Sequence, residues 1–447
     1  MIQRLRDPVH DLIEFEGTGL DQIAWRLIAS KPFQRLRRIR QLGFSEFVFP
    51  GATHTRFAHS IGVFHNARLL CGVIREKIGN NFCQDSADVA VLAALIHDLG
   101  HGPFSHAFES ALGTGGRHEE YTAEFIDHPE INKILSDYDK TFPEKIKLYF
   151  KGDQVLSIYS SIVSSQFDAD RLDYMKRDRL MTGTQLGAID FTWLLRNLEV
   201  CQIPVGVDAE KIADVDTLVL GEKALWAGEG YVLSLFHLYP AVYLHKTTRG
   251  AEKLFSLLLK FIRSLVDDRR GSETGLPDNH PLLVYLRNPK LETYGDLDDA
   301  VIWGALPMMI KANDIMVART AHDLQYRHLW EAIDLNCLRR AGDSPDEPSP
   351  AEVRFKQLSQ QNAPQDWSVR VLEDSYTRNP YKRQEYGSSK SLEKIHILSE
   401  GRPTDLAQVS AVVGALKKFK VNRLYIRRDD SDAREMIHKW IREAKEA

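Results

Sequence analysis

Residues 96–106 read Ile96-His97-Asp98-Leu99-Gly100-His101-Gly102-Pro103-Phe104-Ser105-His106. A mostly apolar run, 87–99, leads into them, with Asp85 and Ser86 ahead of it as N-cap candidates. A helix that is apolar on every side is a buried one. Gly100, Gly102 and Pro103 then stop it. The stretch predicts a buried helix that ends on a His-Asp pair. A carboxylate is costly to bury unless something pairs with it. A metal ion held by the adjacent His97 and Asp98 is the usual compensation, and the glycines let a ligand approach the backbone closely. A lone His-Asp pair is far more often a plain helix end. Three histidines within ten residues, in an apolar setting, shift the balance toward a ligand.

Two further segments supply matching chemistry. Upstream, Thr55-Arg56-Phe57-Ala58-His59-Ser60 puts Arg56 and His59 three residues apart, on one helix face. One can hold a phosphate while the other binds metal. Downstream, Asp168-Ala169-Asp170-Arg171-Leu172-Asp173-Tyr174-Met175-Lys176-Arg177-Asp178 places Asp170, Tyr174 and Asp178 at i, i+4 and i+8. On a helix these form one stripe. Taken alone, each segment reads as an ordinary solvated face. Together they offer His59, His97, Asp98 and Asp170, two nitrogens and two oxygens. That set suits Fe, Mn, Ni, Co or Zn, whereas all-oxygen sites favour Mg or Ca.

The rest of the chain sets bounds. Its 447 residues suggest two or three domains. A formal charge of −4 excludes a basic coat for general nucleic-acid binding. The 20 Phe, 15 Tyr and 7 Trp exclude a disordered chain. Cys71, Cys83, Cys201 and Cys337 form no CxxC pair and are too sparse for a disulfide framework, which points to a reducing compartment. The N-terminus has no signal-peptide pattern, and the longest wholly apolar run, 89–96, is far too short for a membrane span. A soluble, cytoplasmic protein is the expectation.

Helical periodicity predicts helices over 23–42 (broken at Pro32), 57–78, 87–99, 119–126, 162–180, 231–265 and 315–338. Residues 267–281 form a Pro/Gly-rich loop inside this part. Segment 340–366, with Pro345, Pro348 and Pro350, reads as a loop or linker. After it, strands are expected at 368–372, 394–398 and 424–427, and helices at 405–419 and 433–447. The fold class is mainly α: a helical catalytic domain over 1–340, a linker over 341–366, and a small α+β regulatory or oligomerisation subdomain over 367–447.

The order H…HD…D is the signature of the HD-domain phosphohydrolases. More closely, Asp7-Pro8-Val9-His10, Phe33-Gln34-Arg35-Leu36-Arg37, Gln41-Leu42-Gly43, Phe49-Pro50-Gly51-Ala52, Arg56 to Ser60, His97 to His106, Asp170 to Tyr174 with Arg177-Asp178, and His245-Lys246 resemble the SAM- and HD-domain dNTP triphosphohydrolase family in order and spacing. The match begins at Met1, so the separate SAM domain is not expected. The resemblance implies that His59, His97, Asp98 and Asp170 hold one transition metal, and that Mg²⁺ accompanies the substrate triphosphate. It implies acid/base roles for His101 and for His118, which is placed by its Arg117-His118-Glu119 context. Glu109 stands where the family often has an aspartate orienting the catalytic histidine. Arg56, His106 and Arg171 would meet phosphate or sugar, Arg171 replacing a usual lysine. Gln41, Leu42, Tyr174 and Asp178 would line the deoxyribose pocket, and His245 and Lys246 complete the substrate contacts. Gln34 and Arg37 match part of a nucleotide activator site.

The implied reaction hydrolyses a dNTP to a deoxynucleoside and triphosphate. The implied assembly is a homo-oligomer, a tetramer or dimer-based. The sequence adds a reason: four arginines in Arg35-Leu36-Arg37-Arg38-Ile39-Arg40 would repel one another unless they meet anions, which triphosphates at a subunit junction would supply. Two alternatives stand beside this reading. One is an HD-type phosphodiesterase or nuclease acting on nucleic acid or a signalling nucleotide. The other is a nucleotide-sensing binding protein with weak turnover.

Overall fold

A computed structural model describes residues 2–112, 118–151, 157–207, 210–340, 342–344, 347–379, 381 and 394–446. Arg117, part of the context that placed His118, lies outside the described residues, as do Ala341, Pro345 and Asp346 of the expected linker and Ala447 of the expected last helix.

The chain opens with a hairpin, β1 (Gln3–Asp7) and β2 (Asp11–Phe15), followed by α1 (Gly19–Ala29) and α2 (Lys31–Arg35). The periodicity had not suggested this hairpin, whose charged outer residues mask the inward Ile13 and Phe15. Two long helices follow, α3 (Arg56–Ile78) and α4 (Gln84–Ile96). Thr55 caps α3, its side chain accepting from the Ala58 amide. Every residue of α4 from Ala87 onward is buried, as its all-round apolar sequence requires. Its N-cap is Cys83, so Asp85 and Ser86 lie inside the first turn. The helix stops at Ile96, with His97 as C-cap, before the glycines.

Of the short helices that follow, α5 (His106–Leu112) lies against the later helix 246–267, α6 (His118–Asp127) meets the segment after α4 through Thr122, and α7 (Pro129–Tyr138) lies against α1 and α6. Helices α8 (Phe142–Lys151) and α9 (Ser160–Val163) pack on α4, and α8 also lies against α7. Helix α10 (Ala169–Thr182) then lies along α3. The expected 162–180 helix is interrupted because Asp168 leaves helical conformation to cap α10. Helix α11 (Phe191–Arg196) leads to a long antiparallel pair, β3 (Leu198–Val207) and β4 (Glu210–Leu220), also unexpected. The expected 231–265 helix is two helices, α12 (Leu225–Leu238) and α13 (Lys246–Asp267), with a π-helical turn at Tyr239–Tyr243, where Pro240 cannot donate. Helices α14 (Pro281–Arg287), α15 (Leu291–Gly295), α16 (Asp299–Met309) and α17 (Ile315–Gln325) complete the helical body. No helix among the described residues is long and apolar enough to cross a membrane.

The mainly α class holds, but the C-terminal third is divided differently from the expectation. Strand β5 (Glu331–Asp334) ends what the periodicity had made one helix to 338. The expected linker contains α18 (Pro350–Asn362). Its proline sits in the first turn, where no hydrogen bond is lost, and Ser349 and Glu352 form a capping box. A helical turn, α19 (Trp367–Arg370), precedes β6 (Val371–Arg378). Strands β7 (His396–Ser399) and β8 (Arg402–Asp405) join β3 and β4 in a four-stranded sheet. The expected 405–419 helix is two single turns, α20 (Leu406–Val409) and α21 (Ala411–Ala415), because Ser410 restarts the cap. Strand β9 (Phe419–Ile426) sits between β5 and β6, and α22 (Ser431–Glu446) closes the chain. Ile333, Phe355, Leu358, Ile426, Ile437 and Trp440 belong to a second, smaller core. That core draws on residues before, within and after the expected linker.

The arginine-rich segment is also corrected. Arg35 is fully buried and donates to the carbonyls of Leu297 at 2.9 Å and Leu99 at 2.8 Å. Arg38 pairs with Asp298 at 2.5 Å, Arg40 lies 3.4 Å from Glu46, and Arg37 stacks over Phe57. Arg35, Arg38 and Arg40 find polar or charged partners within the chain, up to 262 residues away, whereas Arg37 meets the Gln34 amide and the Phe57 ring.

Candidate active site

Helix α3 begins at Arg56 because Thr55 caps it, which aims Arg56 and His59 at the end of α4. The start of α10 brings Asp170 to the same place. His59 Nε2 lies 2.9 Å from Asp170 Oδ1 and 3.8 Å from Asp98 Oδ2. His97 Nε2 lies 3.2 Å from Asp98 Oδ1 and 3.9 Å from Asp170 Oδ1. The other ring nitrogens are engaged: His59 Nδ1 with Asp173 Oδ2 at 2.7 Å, and His97 Nδ1 with the Ala94 carbonyl at 2.8 Å. Both Nε2 atoms are buried without an aligned hydrogen-bond partner. Two orphaned imidazole nitrogens facing two carboxylates are a donor set that a divalent cation satisfies. His59, His97 and Asp98 lie close enough together to share one ion. The field favours positive charge there. Burial pulls the His59 imidazolium down, yet Asp170 and Asp173 outweigh it and push it up to about 10.

Beside this cluster, Arg56 donates to Asp98 at 2.5 Å and to Ser105 Oγ at 2.7 Å. His101 Nε2 lies 3.2 Å from Asp98, and its Nδ1 lies 3.1 Å from Glu109. Its ring stacks on His118 at 3.9 Å. The two histidines are pushed apart. Burial, Arg56 and His118 drive His101 down to about 3. For His118 burial is outweighed by Glu109 and Glu119, and the net shift is upward. Glu109 is held well below the carboxylate range, since its histidine contacts overcome burial. Its oxygens also reach His106 at 3.4 Å and His118 at 3.6 Å. The longer acid does gather the histidines.

Farther along α10, Asp178 is buried and doubly held. His54 Nε2 meets Oδ1 at 2.8 Å, and the Tyr243 hydroxyl donates to Oδ2 at 2.7 Å. The rings of Tyr174 and Tyr243 meet edge-on. Gln41 bonds through its amide to the His54 carbonyl, leaving its Oε1 buried and unpartnered, with Leu42 next to it. Sequence reasoning missed His54, Asp173 and Tyr243. The only signals were their places beside motifs: His54 two residues before Arg56, Asp173 between Asp170 and Tyr174, Tyr243 two before His245.

Some expected contacts lie elsewhere or are already occupied. Arg171 turns back onto Asp168 at 2.5 Å and onto the Ser165 carbonyl. Its Nε is buried and unpartnered. The His245 ring caps α13, accepting from the Thr247 amide. Lys246 lines a cavity of about 600 Å³ with Arg327, His328, Arg427 and Arg428, and none of the His-Asp cluster lines it. The Gln34 side chain donates to the Ile28 carbonyl and accepts from Arg37.

The HD domain model matches residues 56–175, the span from Arg56 through Met175. The uncharacterized protein YwfO of Bacillus subtilis is 31% identical over 433 residues, covering 95% of this chain and 92% of that protein. The mouse deoxynucleoside triphosphate triphosphohydrolase SAMHD1 is 31% identical over 285 residues, 55% of this chain but only 42% of the mouse protein. A phosphohydrolase from Bacteroides thetaiotaomicron has a solved structure that matches with a TM-score of 0.74 at 26% identity, covering 96% of this chain and 100% of that one.

Proposed function

Because the chain belongs to the HD-domain phosphohydrolases, we propose that it is a metal-dependent deoxynucleoside triphosphate triphosphohydrolase, releasing a deoxynucleoside and triphosphate. The observation that carries this reading is the alignment along α10. Asp170 at the metal cluster, Tyr174, and Asp178 with His54 and Tyr243 follow one another on one helix face. This alignment supports reading Asp178 as the acceptor for a sugar hydroxyl in line with phosphate chemistry at the His-Asp cluster.

His59, His97, Asp98 and Asp170 would hold the metal. When bound there, a divalent metal acidifies water and draws charge from a phosphoryl oxygen. The chain's own residues do the rest. Arg56, fixed by Asp98 and Ser105, presents its guanidinium to the phosphates and offsets charge as it develops. His118, raised by Glu109 and Glu119, carries the proton that the departing 5′ oxygen needs. His101, driven neutral and stacked on His118, keeps that ring in place and leaves the site uncrowded by a second positive charge. Asp178 accepts from the 3′-hydroxyl, while Tyr174 crowds the 2′ position. Gln41 and Leu42 close the sugar pocket, with the Gln41 Oε1 available as an acceptor. His106, exposed at the rim, and Arg171 meet phosphate or sugar from the sides.

The triphosphate is expected to arrive with Mg²⁺. Gln34 and Arg37 belong to the reading as contacts for a nucleotide activator, and the assembly as a homo-oligomer; light scattering with and without dNTPs checks the latter. The deciding experiment incubates the purified chain with each dNTP, each NTP and single-stranded DNA, under Mn²⁺ or Mg²⁺, and resolves the products. Deoxynucleoside plus triphosphate supports the proposal. Nucleotide fragments from DNA, or no product with tight nucleotide binding, replace it with a nuclease or a sensor.

A further inference from the structure

His59 is held from behind as well as from the metal side. Its Nδ1 meets Asp173 Oδ2 at 2.7 Å. The other oxygen of Asp173 meets His10 Nε2 at 2.7 Å. Arg177 donates to both oxygens, at 2.7 and 2.9 Å, and reaches on to Asp7 at 2.8 and 3.2 Å. Asp7 in turn accepts from the amides of Val9 and His10, at the turn of the β1–β2 hairpin. Asp173 and Arg177 have no exposed surface. A carboxylate of this kind only accepts. It therefore fixes the proton of a neutral His59 on Nδ1 and turns the lone pair of Nε2 toward Asp98 and Asp170.

An independent observation comes from α3. Gly62 sits in the middle of that helix, where glycine costs about 1 kcal/mol relative to alanine. A methyl group there would overlap the Asp173 carboxylate and the Arg177 guanidinium. The glycine thus admits the pair to the face of α3 that carries His59. A buried ion pair adds little net stability over a well-packed apolar replacement. Here it crosses from the hairpin to α10 and ends on a metal-ligand candidate.

We propose that Asp173, clamped by His10 and by the Arg177–Asp7 pair, is the positioning residue for His59, so that the β1–β2 hairpin sets how tightly the site holds its metal. This rests on the metal-site reading above and names a control on it. Outer hydrogen-bond partners of metal-binding histidines change affinity by roughly 10–100-fold when removed.

The test uses the full chain and Mn²⁺. Metal content is measured by elemental analysis, and affinity by competition with a chelator. The unfolding transition in excess chelator serves as the check on folding. His10→Ala, Gly62→Ala and Asp173→Asn all keep the four ligand candidates. The expected result is roughly 10–100-fold weaker Mn²⁺ binding in each, with partial recovery in His10→Gln, which restores a donor to Asp173. A ¹⁵N-histidine spectrum of the Zn²⁺-loaded wild type should show His59 protonated at Nδ1, with a low-field proton that moves upfield in Asp173→Asn. Wild-type affinity in His10→Ala and Gly62→Ala overturns the proposal and leaves the metal site standing. Failure of His10→Ala to fold in chelator overturns it in favour of a purely structural clamp. A wild-type chain that binds no Mn²⁺ overturns the metal-site reading itself.

Discussion

Arg56→Met is the most informative single change, because Arg56 pairs with the buried Asp98 and is also the proposed phosphate contact. Its guanidinium lies 2.5 Å from Asp98, and both side chains are about 5% exposed or less. Removing the cation strands a buried carboxylate beside His97 and His101. Breaking a buried pair by deleting one partner costs about 3–5 kcal/mol. The Coulomb energy of two unit charges about 4 Å apart, at an effective dielectric of about 20, is about 4 kcal/mol. The two routes agree. The loss should be fully expressed in excess chelator and smaller with Mn²⁺, since a metal on Asp98 supplies the missing positive charge. Metal at about 100 times its dissociation constant contributes about 2.7 kcal/mol to whichever form binds it. Denaturant unfolding of wild type and variant, each with chelator and with Mn²⁺, reads both quantities. A deficit below about 1 kcal/mol in chelator, against the 3–5 expected, would refute the pairing argument. A deficit that Mn²⁺ leaves unchanged would refute Asp98 as a ligand.

Glu109→Gln removes an anion that raises His118, so less imidazolium is present at a given pH and the alkaline limb of the kcat profile moves to lower pH; an unmoved limb would take the proton-donor role from His118. Tyr243→Phe leaves Asp178 with His54 as its remaining partner and should raise KM for dNTPs about tenfold, the equivalent of one hydrogen bond to a charged group. On the wild type, dideoxynucleotides should be rejected by about 10⁴-fold in kcat/KM, as sites that bond a substrate hydroxyl do; equal turnover would remove Asp178 from sugar recognition. Arg35→Met orphans two buried carbonyls at about 1–3 kcal/mol each, and thermal unfolding should fall accordingly; an unchanged transition would restore the reading of this segment as a surface for anions.

The gathering of the His-Asp cluster was legible in the sequence because its residues are expensive where they stand. His97 and Asp98 end an apolar helix, and only a ligand or a partner makes that tolerable. Helix periodicity located α3, α4 and α13 for the same reason: their apolar residues repeat with the helix. Helix α18 was hidden by its prolines, although Ser349, Pro350 and Glu352 carried a start signal at the right spacing. The hairpins were hidden because a strand's period is easily lost among charged residues such as those of β1. The roles of His54, Asp173 and Tyr243 could not be read from their places beside the motifs. Their partners lie 65 to 163 residues away in the chain, and no local pattern encodes such a distance. The arginine segment failed likewise, since Asp298, Leu297 and Leu99 lie far from it in sequence.

Helix α10 shows how these pieces depend on one another. At about 100° per residue, Asp170, Asp173, Tyr174, Arg177 and Asp178 fall on one broad face. That face carries the metal-ligand candidate Asp170, the proposed positioning residue for His59 and the proposed sugar acceptor, and it packs against α3. It is also short of positive charge. Asp7, Asp98, Glu109, Asp168, Asp170, Asp173 and Asp178 crowd the region, while Arg56, Arg171, Lys176 and Arg177 answer them. Buried charge of one sign is not tolerated without compensation. The raised His59 and His118 are the protein's own response when only protons are at hand. A divalent cation held as proposed by His59, His97, Asp98 and Asp170 would answer the same deficit with two charges and let His59 give up its proton. Metal binding should therefore release protons between about pH 6 and 10, since His59 alone holds its proton up to about 10. Titration calorimetry of Mn²⁺ binding in buffers of different ionisation enthalpy measures that release directly. A binding enthalpy independent of buffer at pH 8 would mean that His59 is already neutral, and that the acids around it are balanced by some other charge.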